Sequence, residues 1–204
     1  MHIALLGGSF DPPHLGHLLI AQQVKEQIGV DQVWLLPMYG TAAHHKIFQK
    51  QLSPFSDRIA MATLLENDFI KVSDFEIKEN KESITIVTLE KLAKVYPQHT
   101  FSWITGSDKL ETFQKYERWQ DIIKKHNLIV FPREHMLWHL QERVKEAFQL
   151  QAIPENIMVL HDKDLILTNI SSTTIRDRIR RGLSIQHLVP DGVAEYIQEK
   201  TLYI

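Results

Sequence analysis

Two histidines three residues apart, His14 and His17, follow a turn of glycines and prolines in Gly7-Gly8-Ser9-Phe10-Asp11-Pro12-Pro13-His14-Leu15-Gly16-His17. Glycine lets backbone amides come close to a bound group, and proline stiffens the turn. His17 falls in the first turn of an apolar-striped helix, where free amides and the helix dipole favour negative charge. Imidazole N–H groups beside such amides suit phosphate oxygens. Two other readings fit the histidines taken alone: they cap the helix, or they are zinc ligands with His44 and His45 as further donors. The order strand, glycine turn, His-x-Gly-His, helix is what points to phosphate.

The second constellation is Ser171-Ser172-Thr173-Thr174-Ile175-Arg176. Hydroxyls and free amides at a helix start form an anion nest, and Arg176 in the first turn would offer a planar fork to a polyphosphate. An ordinary capped helix with solvated Arg176, Arg178, Arg180 and Arg181 explains the same residues equally well. That basic run is short, broken by Asp177, and has no interleaved aromatics, so it does not read as a nucleic-acid surface.

These groups need elements to carry them. Residues 3–6 form an apolar run ending in Gly7-Gly8; the stripe from Leu18 to Ile28 predicts a helix closed by Gly29. Residues 32–36 predict a buried strand stopped by Pro37. Further on, the pattern predicts helices over 57–66, 83–96, 119–125 and 135–149, and strands over 69–72, 101–105, 128–131 and 157–160. Ser171 to Thr173 form an N-cap cluster before a short helix stopped at Gly182, and a last helix covers 193–200. Residues 78–82 read as a surface loop. Trp103 and Trp119 read as packing residues, and Trp138-His139 as part of an amphipathic helix far from the motif with no catalytic role. Alternating helices and strands predict an α/β fold: a doubly wound, Rossmann-like, mostly parallel sheet with helices on both faces, in one domain over 1–204. Ligands of such sheets sit at the carboxyl ends of the strands. Gly7-Gly8, Pro37 and Gly106 all lie at such ends.

Composition narrows the chemistry. With 204 residues, 44% hydrophobic content and a net charge of -2, the chain can bury one sizeable core and has no bulk attraction for nucleic acid or membranes. It has no cysteine, which excludes a thiolate nucleophile and cysteine-ligated zinc and makes a cytoplasmic setting the expectation. No signal peptide or membrane span is expected. The oligomeric state is left open.

The motifs together resemble the His-x-Gly-His nucleotidyltransferases and, within them, the bacterial nicotinate-nucleotide adenylyltransferase family. The family's Gly-Gly-x-Phe-Asp-Pro-x-His-x-Gly-His is matched by residues 7–17, its Ile-Ser-Ser-Thr-x-Ile-Arg by 170–176, and its Gly-x-Asp by Gly106-Ser107-Asp108; Arg58 and Met61 fit its second helix. The resemblance spans nearly the whole chain. It implies that the phosphate of nicotinate mononucleotide attacks the α-phosphorus of ATP and expels pyrophosphate, with no covalent enzyme intermediate. It implies catalytic roles for His14, His17, Lys46 and Arg176. ATP would be bound by these histidines and Arg176 with Gly8, Ser9, Phe10, Gly106, Asp108, Ile170, Ser171, Ser172 and Thr173. The acceptor would meet Lys46, Thr85, Tyr116 and Arg133. Mg²⁺ would ride on the ATP phosphates, with no metal held by the protein itself.

The departures from the family cluster on the acceptor side. Ala43-His44-His45-Lys46 replaces Pro-Pro-His-Lys, Ser83-Ile84-Thr85 replaces Ser-Tyr-Thr, Glu79 replaces an arginine, and Tyr116-Glu117 replaces Trp-Tyr. Glu79 or Glu117, if facing the pyridine ring, would repel a nicotinate carboxylate and favour an amide acceptor such as nicotinamide mononucleotide. If both point to solvent, the acid acceptor stands. Phosphopantetheine as acceptor, or a non-catalytic nucleotide-binding regulator, are the other readings the sequence allows.

Overall fold

The computed structural model describes residues 1–39, 52–78, 83–133, 139–161 and 163–204. Six strands form one wholly parallel sheet: β1 (His2–Gly8), β2 (Gln32–Pro37), β3 (Ile70–Val72), β4 (Thr100–Gly106), β5 (Asn127–Phe131) and β6 (Ile157–Val159), in the order β3-β2-β1-β4-β5-β6. Parallel strands need crossovers, and helices supply them: α1 (Leu15–Ile28), α2 (Phe55–Thr63), α3 (Phe75–Lys78), α4 (Thr85–Val95), α5 (Trp119–Lys125) and α6 (Leu140–Phe148), while α7 (Ser172–Arg180) and α8 (Asp191–Glu199) follow the last strand. A 3₁₀ segment, Ser107–Lys115, follows β4 directly.

Strand side chains alternate between two cores. Ala4, Leu6, Val33, Leu35, Ile104, Ile129 and Phe131 pack on one face with residues of α1, α2, α7 and α8. Ile3, Leu5, Leu36, Trp103, Leu128 and Val130 pack on the other with residues of α4, the 3₁₀ segment, α5 and α6. Because both faces are covered, the strands read as continuous apolar runs instead of alternating ones, which is why they were legible.

The strand order reverses between β1 and β4. The chain leaves β1 toward α1 on one face and leaves β4 toward the 3₁₀ segment on the other, which opens a crevice at their carboxyl ends.

Several boundaries differ from the sequence reading. α2 starts two residues before the expected 57, behind Pro54. α6 starts only at Leu140, with His139 as its N-cap at φ 64, so His139 is a cap and not a helical residue. Residues 134–138, including Trp138, lie outside the described residues. Lys78 ends the short helix α3 and is not part of a loop; the rest of the expected loop, 79–82, is also outside the description. The 3₁₀ segment was not expected at all. Gly29 holds a left-handed φ of 72 and closes α1 through its N–H to Lys25 at 3.0 Å, as expected of a helix-stop glycine.

Candidate active site

The β1–α1 loop is held by three donors from two other parts of the chain, α2 and α7. Arg58 of α2 donates Nη1 to the Ser9 carbonyl at 2.8 Å. The Ser172 hydroxyl, at the start of α7, donates to the Pro12 carbonyl at 2.8 Å. Arg176 donates Nη1 to the Asp11 carbonyl at 2.6 Å. Three loop carbonyls are thus spent on protein donors. That lowers the density of acceptors the loop can show to an anion.

His14 is the N-cap of α1 and is buried. Its backbone N–H donates to His17 Nδ1 at 3.1 Å, and His17 N–H donates back to the His14 carbonyl at 2.9 Å. The first bond makes Nδ1 an acceptor, so the proton of a neutral His17 must sit on Nε2, which is left as a donor. The two imidazoles stack with centroids 3.7 Å apart, and Phe10 packs on His17 at 4.7 Å. Desolvation, with the charge of Arg133 second, lowers the His14 pKa to about 3. His17 is pushed well below its ordinary value by burial first, then by His14 and Arg133. Both rings are therefore neutral hydrogen-bond donors in the free protein, not cations. The middle glycine of His14-Leu15-Gly16-His17 has a steric reason: a Cβ on Gly16 would lie 2.9 Å from His14 Nδ1 and 3.3 Å from Thr168 Cγ2.

The α7 end forms as the hydroxyl cluster predicts. Ser171 is the N-cap and accepts from Thr174 N–H at 3.1 Å, an interaction of about 1 kcal/mol. Arg176 is the fifth residue of α7, one turn deeper than expected, because the helix begins at Ser172. It is 9% exposed, and its Nη2 donates to Thr173 Oγ1 at 3.3 Å. The reading of Arg176 as a solvated surface residue is thereby corrected. Ile170 is half-buried against the first core, with its N–H on Thr168 Oγ1 at 3.1 Å.

At the end of β4, Gly106, Asp108 and Arg133 crowd together. A Cβ on Gly106 would meet Asp108 Oδ1 at 2.3 Å and Arg133 Cγ at 3.2 Å. Ser107 is buried and accepts the Arg133 N–H at 2.8 Å, joining the carboxyl ends of β4 and β5. Since Arg133 also acts on both imidazoles, the residue expected on the acceptor side has its charge beside the histidine pair.

On the acceptor side, Thr85 opens α4. Tyr116 stacks on Phe113 at 4.9 Å, and burial, with Asp108 second, raises its phenol pKa. Glu117 is exposed. Trp103 and Trp119 pack with the second core, as read from sequence. Lys46, with Ala43, His44, His45 and Glu79, lies outside the described residues. Among the described residues no group of three His, Asp or Glu side chains could hold a metal ion. No described helix is long and apolar enough to cross a membrane.

Asp11, Arg58 and Tyr203 belong to this site's framework, and sequence reasoning gave none of them a role in it. Arg58 is 2% exposed and also donates to Ser53 and Met38 carbonyls at 3.1 and 2.9 Å. Its one signal in sequence is the fit to the family's second helix, which names no partner for it.

A doubly wound sheet with this loop and helix end at its switch point defines a nucleotidyltransferase, and the chain belongs to the cytidylyltransferase-like family, whose model matches residues 5–178. Its relatives narrow the group to nicotinate-nucleotide adenylyltransferases. A "probable nicotinate-nucleotide adenylyltransferase" of Caldicellulosiruptor saccharolyticus is 39% identical over 206 residues, covering 100% of this chain and 99% of its own. One of that name from Shewanella pealeana is 33% identical over 213 residues, covering 100% and 96%. In fold, the chain matches the Plasmodium falciparum nicotinic acid mononucleotide adenylyltransferase complexed with NaAD at a TM-score of 0.76 and 19% identity, covering 99% of this chain and 97% of that one.

Proposed function

We propose that the protein, as one catalytic unit over 1–204, transfers the adenylyl group of ATP to nicotinate mononucleotide, giving nicotinate adenine dinucleotide and pyrophosphate. One observation carries the reading: two stacked, neutral imidazoles, one with its Nε2–H fixed as a donor, sit on a loop whose carbonyls are bound away by Arg58, Ser172 and Arg176. Adenylyl transfer needs alignment of two anions and donors for the charge on a five-coordinate phosphorus, and no enzyme nucleophile. The chain supplies that inventory.

His17 Nε2–H and the His14 ring take α-phosphate oxygens as the acceptor phosphate attacks and pyrophosphate leaves. Arg176, with Ser171, Ser172 and Thr173 at the α7 start, meets the outgoing β and γ phosphates using the donors that Asp11 and Thr173 leave free. Gly8, Ser9 and Phe10 cover the nucleotide, Gly106 and Asp108 take its ribose and adenine side, and Ile170 borders it. Thr85, Tyr116 and Arg133 line the pyridine nucleotide, and Lys46 is assigned to catalysis and to the acceptor by the matched motif alone. These roles rest on the matched motifs and on the placement of the described residues. Among the described residues no cluster of carboxylates or histidines could hold a metal, so Mg²⁺ would ride on the ATP phosphates, where it neutralises charge.

The acid acceptor is favoured because Glu117, one of the two carboxylates that could repel it, is exposed, and because relatives matched over the whole chain carry the nicotinate-nucleotide name. Pyrophosphate release with nicotinate mononucleotide, nicotinamide mononucleotide and phosphopantetheine tests the assignment. The nicotinate compound should give the highest kcat/KM, and turnover no faster than ATP hydrolysis alone would end it. Loss of turnover in His17→Ala with ATP binding retained separates an enzyme from a nucleotide-binding regulator. Small molecules are the partners this site calls for; the reaction needs neither nucleic acid nor a membrane, and a cytoplasmic setting fits it.

A further inference from the structure

Asp11 is fully buried, and its carboxylate is reached from two distant parts of the chain. Ser53 N–H donates to Oδ2 at 3.2 Å, and the Tyr203 hydroxyl donates to Oδ1 at 2.7 Å. With Arg176 on its carbonyl, Asp11 has its side chain and its backbone oxygen bound by protein donors. It is the knot of the nucleotide loop, three residues before His14.

Tyr203 reaches that knot by an unusual path. After α8 the backbone turns left-handed at Thr201 (φ 53) and again at Tyr203 (φ 68). Leu202 N–H returns to the Ile197 carbonyl at 3.0 Å, and the Leu202 and Tyr203 side chains pack on the first core. Non-glycine residues stay in that region only where their surroundings over-determine them. Here the fixing contacts are the packed Leu202 and the hydroxyl–carboxylate bond. Burial, with the Asp11 charge second, raises the Tyr203 pKa, so the hydroxyl remains a donor throughout the working pH range.

We propose that Tyr203 is a positioning residue of the nucleotide site: by holding the Asp11 carboxylate it holds Phe10, His14 and His17 in the arrangement that receives the triphosphate of ATP. This rests on the reading of the β1–α1 loop as the ATP cradle. The effect is confined to one half of the site. Tyr203 packs on the sheet face that carries α1 and α7, whereas Tyr116 and the helix that Thr85 opens pack on the opposite face. Loss of the hydroxyl should therefore weaken ATP and spare the acceptor.

Tyr203→Phe removes the oxygen and keeps the ring. The expected result is a roughly three- to tenfold rise in the KM for ATP, and in the Kd for ATP measured by calorimetry without acceptor, with the acceptor KM unchanged. Leu202→Ala loosens the same segment without touching the hydroxyl; it should lower the melting temperature and leave the ratio of the two KM values as in the parent. The proposal is overturned if Tyr203→Phe leaves ATP binding unchanged, raises both KM values alike, or is reproduced in its KM split by Leu202→Ala. Because the calorimetry uses ATP alone, a chain without transferase turnover still gives a result for Tyr203.

Discussion

Arg176 Nη1 lies 2.6 Å from the carbonyl oxygen of Asp11, a bond across 165 residues of sequence. It joins the two motifs that were read separately, and it does so directly. The guanidinium that would face pyrophosphate also shapes the loop that would face the α-phosphate, so the two halves of the triphosphate cradle are one mechanical unit.

Arg176→Ala therefore has two expected effects. It strands a buried carbonyl, which should lower stability by about 1–3 kcal/mol in chemical denaturation. It also removes the fork for the leaving pyrophosphate, which should lower kcat by about 10²–10³-fold. Arg176→Lys restores a charge but only a point donor, so it should recover stability better than turnover. Equal recovery of both would show that the fork geometry is immaterial.

The histidine pair sets a pH dependence that runs opposite to a salt-bridged imidazole. His14 has its pKa lowered from 6.5 to about 3 in the folded protein. Between those values the unfolded chain binds the extra proton, so stability is complete above pH 6.5 and falls as the pH drops through that window. At pH 5 the loss from His14 alone is about 2 kcal/mol, and His17 adds in the same direction. Urea titrations at pH 5 and 7.5 should show this difference, and His14→Gln should shrink it. Because both rings are already neutral, kcat/KM for ATP should show no imidazole titration between pH 5.5 and 8. A step near 6.5 that vanishes in His17→Asn would contradict the neutral-donor picture.

Legibility followed local signal. The strands were readable because each is a short apolar run, ended by glycine or proline in β1, β2, β4 and β5, and the β1 loop was readable because its chemistry is contiguous. The 3₁₀ segment Ser107–Lys115 was missed because its exposed charged residues mask the two anchors, Leu110 and Phe113, that bury it. α3 is four residues long, too short to show a period. The Asp11 knot was invisible for a different reason: Arg58, Ser53, Arg176 and Tyr203 come together only through tertiary folding. Even His14 and His17, read from sequence as phosphate donors, gave no hint there that burial would hold them neutral.

Gly7 is required by its neighbour on β4, not by its own backbone. A Cβ at this position would lie 2.5 and 2.7 Å from the Cη2 and Cζ2 atoms of Trp103. Gly7→Ala should destabilise by about 1–3 kcal/mol through overpacking. Gly7→Ala with Trp103→Leu makes room for the methyl group, so the double variant should be more stable than the sum of the two single changes predicts. Thermal melts of the four proteins check this. Strict additivity would mean that the indole does not set the constraint.

The acceptor half has its own buried support in Glu76. Its carboxylate accepts from the Ser83 hydroxyl, from Thr88 Oγ1 at 2.8 Å, and from the Tyr39 backbone N–H. Tyr39 N–H also reaches Ser83 Oγ at 3.1 Å. Glu76 thus ties the exit of β2 to the entry of α4, where Thr85 stands. Burial raises its pKa, while these three donors oppose the shift and hold the charge. Glu76→Gln keeps the size but puts an NH₂ against one of those donors. It should cost about 1–3 kcal/mol of stability and raise the KM for the pyridine mononucleotide while leaving the ATP KM unchanged. Initial rates with each substrate varied in turn separate the two constants. A shift in the ATP constant instead would place Glu76 in the framework of the other half, and the division of the site between the two sheet faces would fail with it.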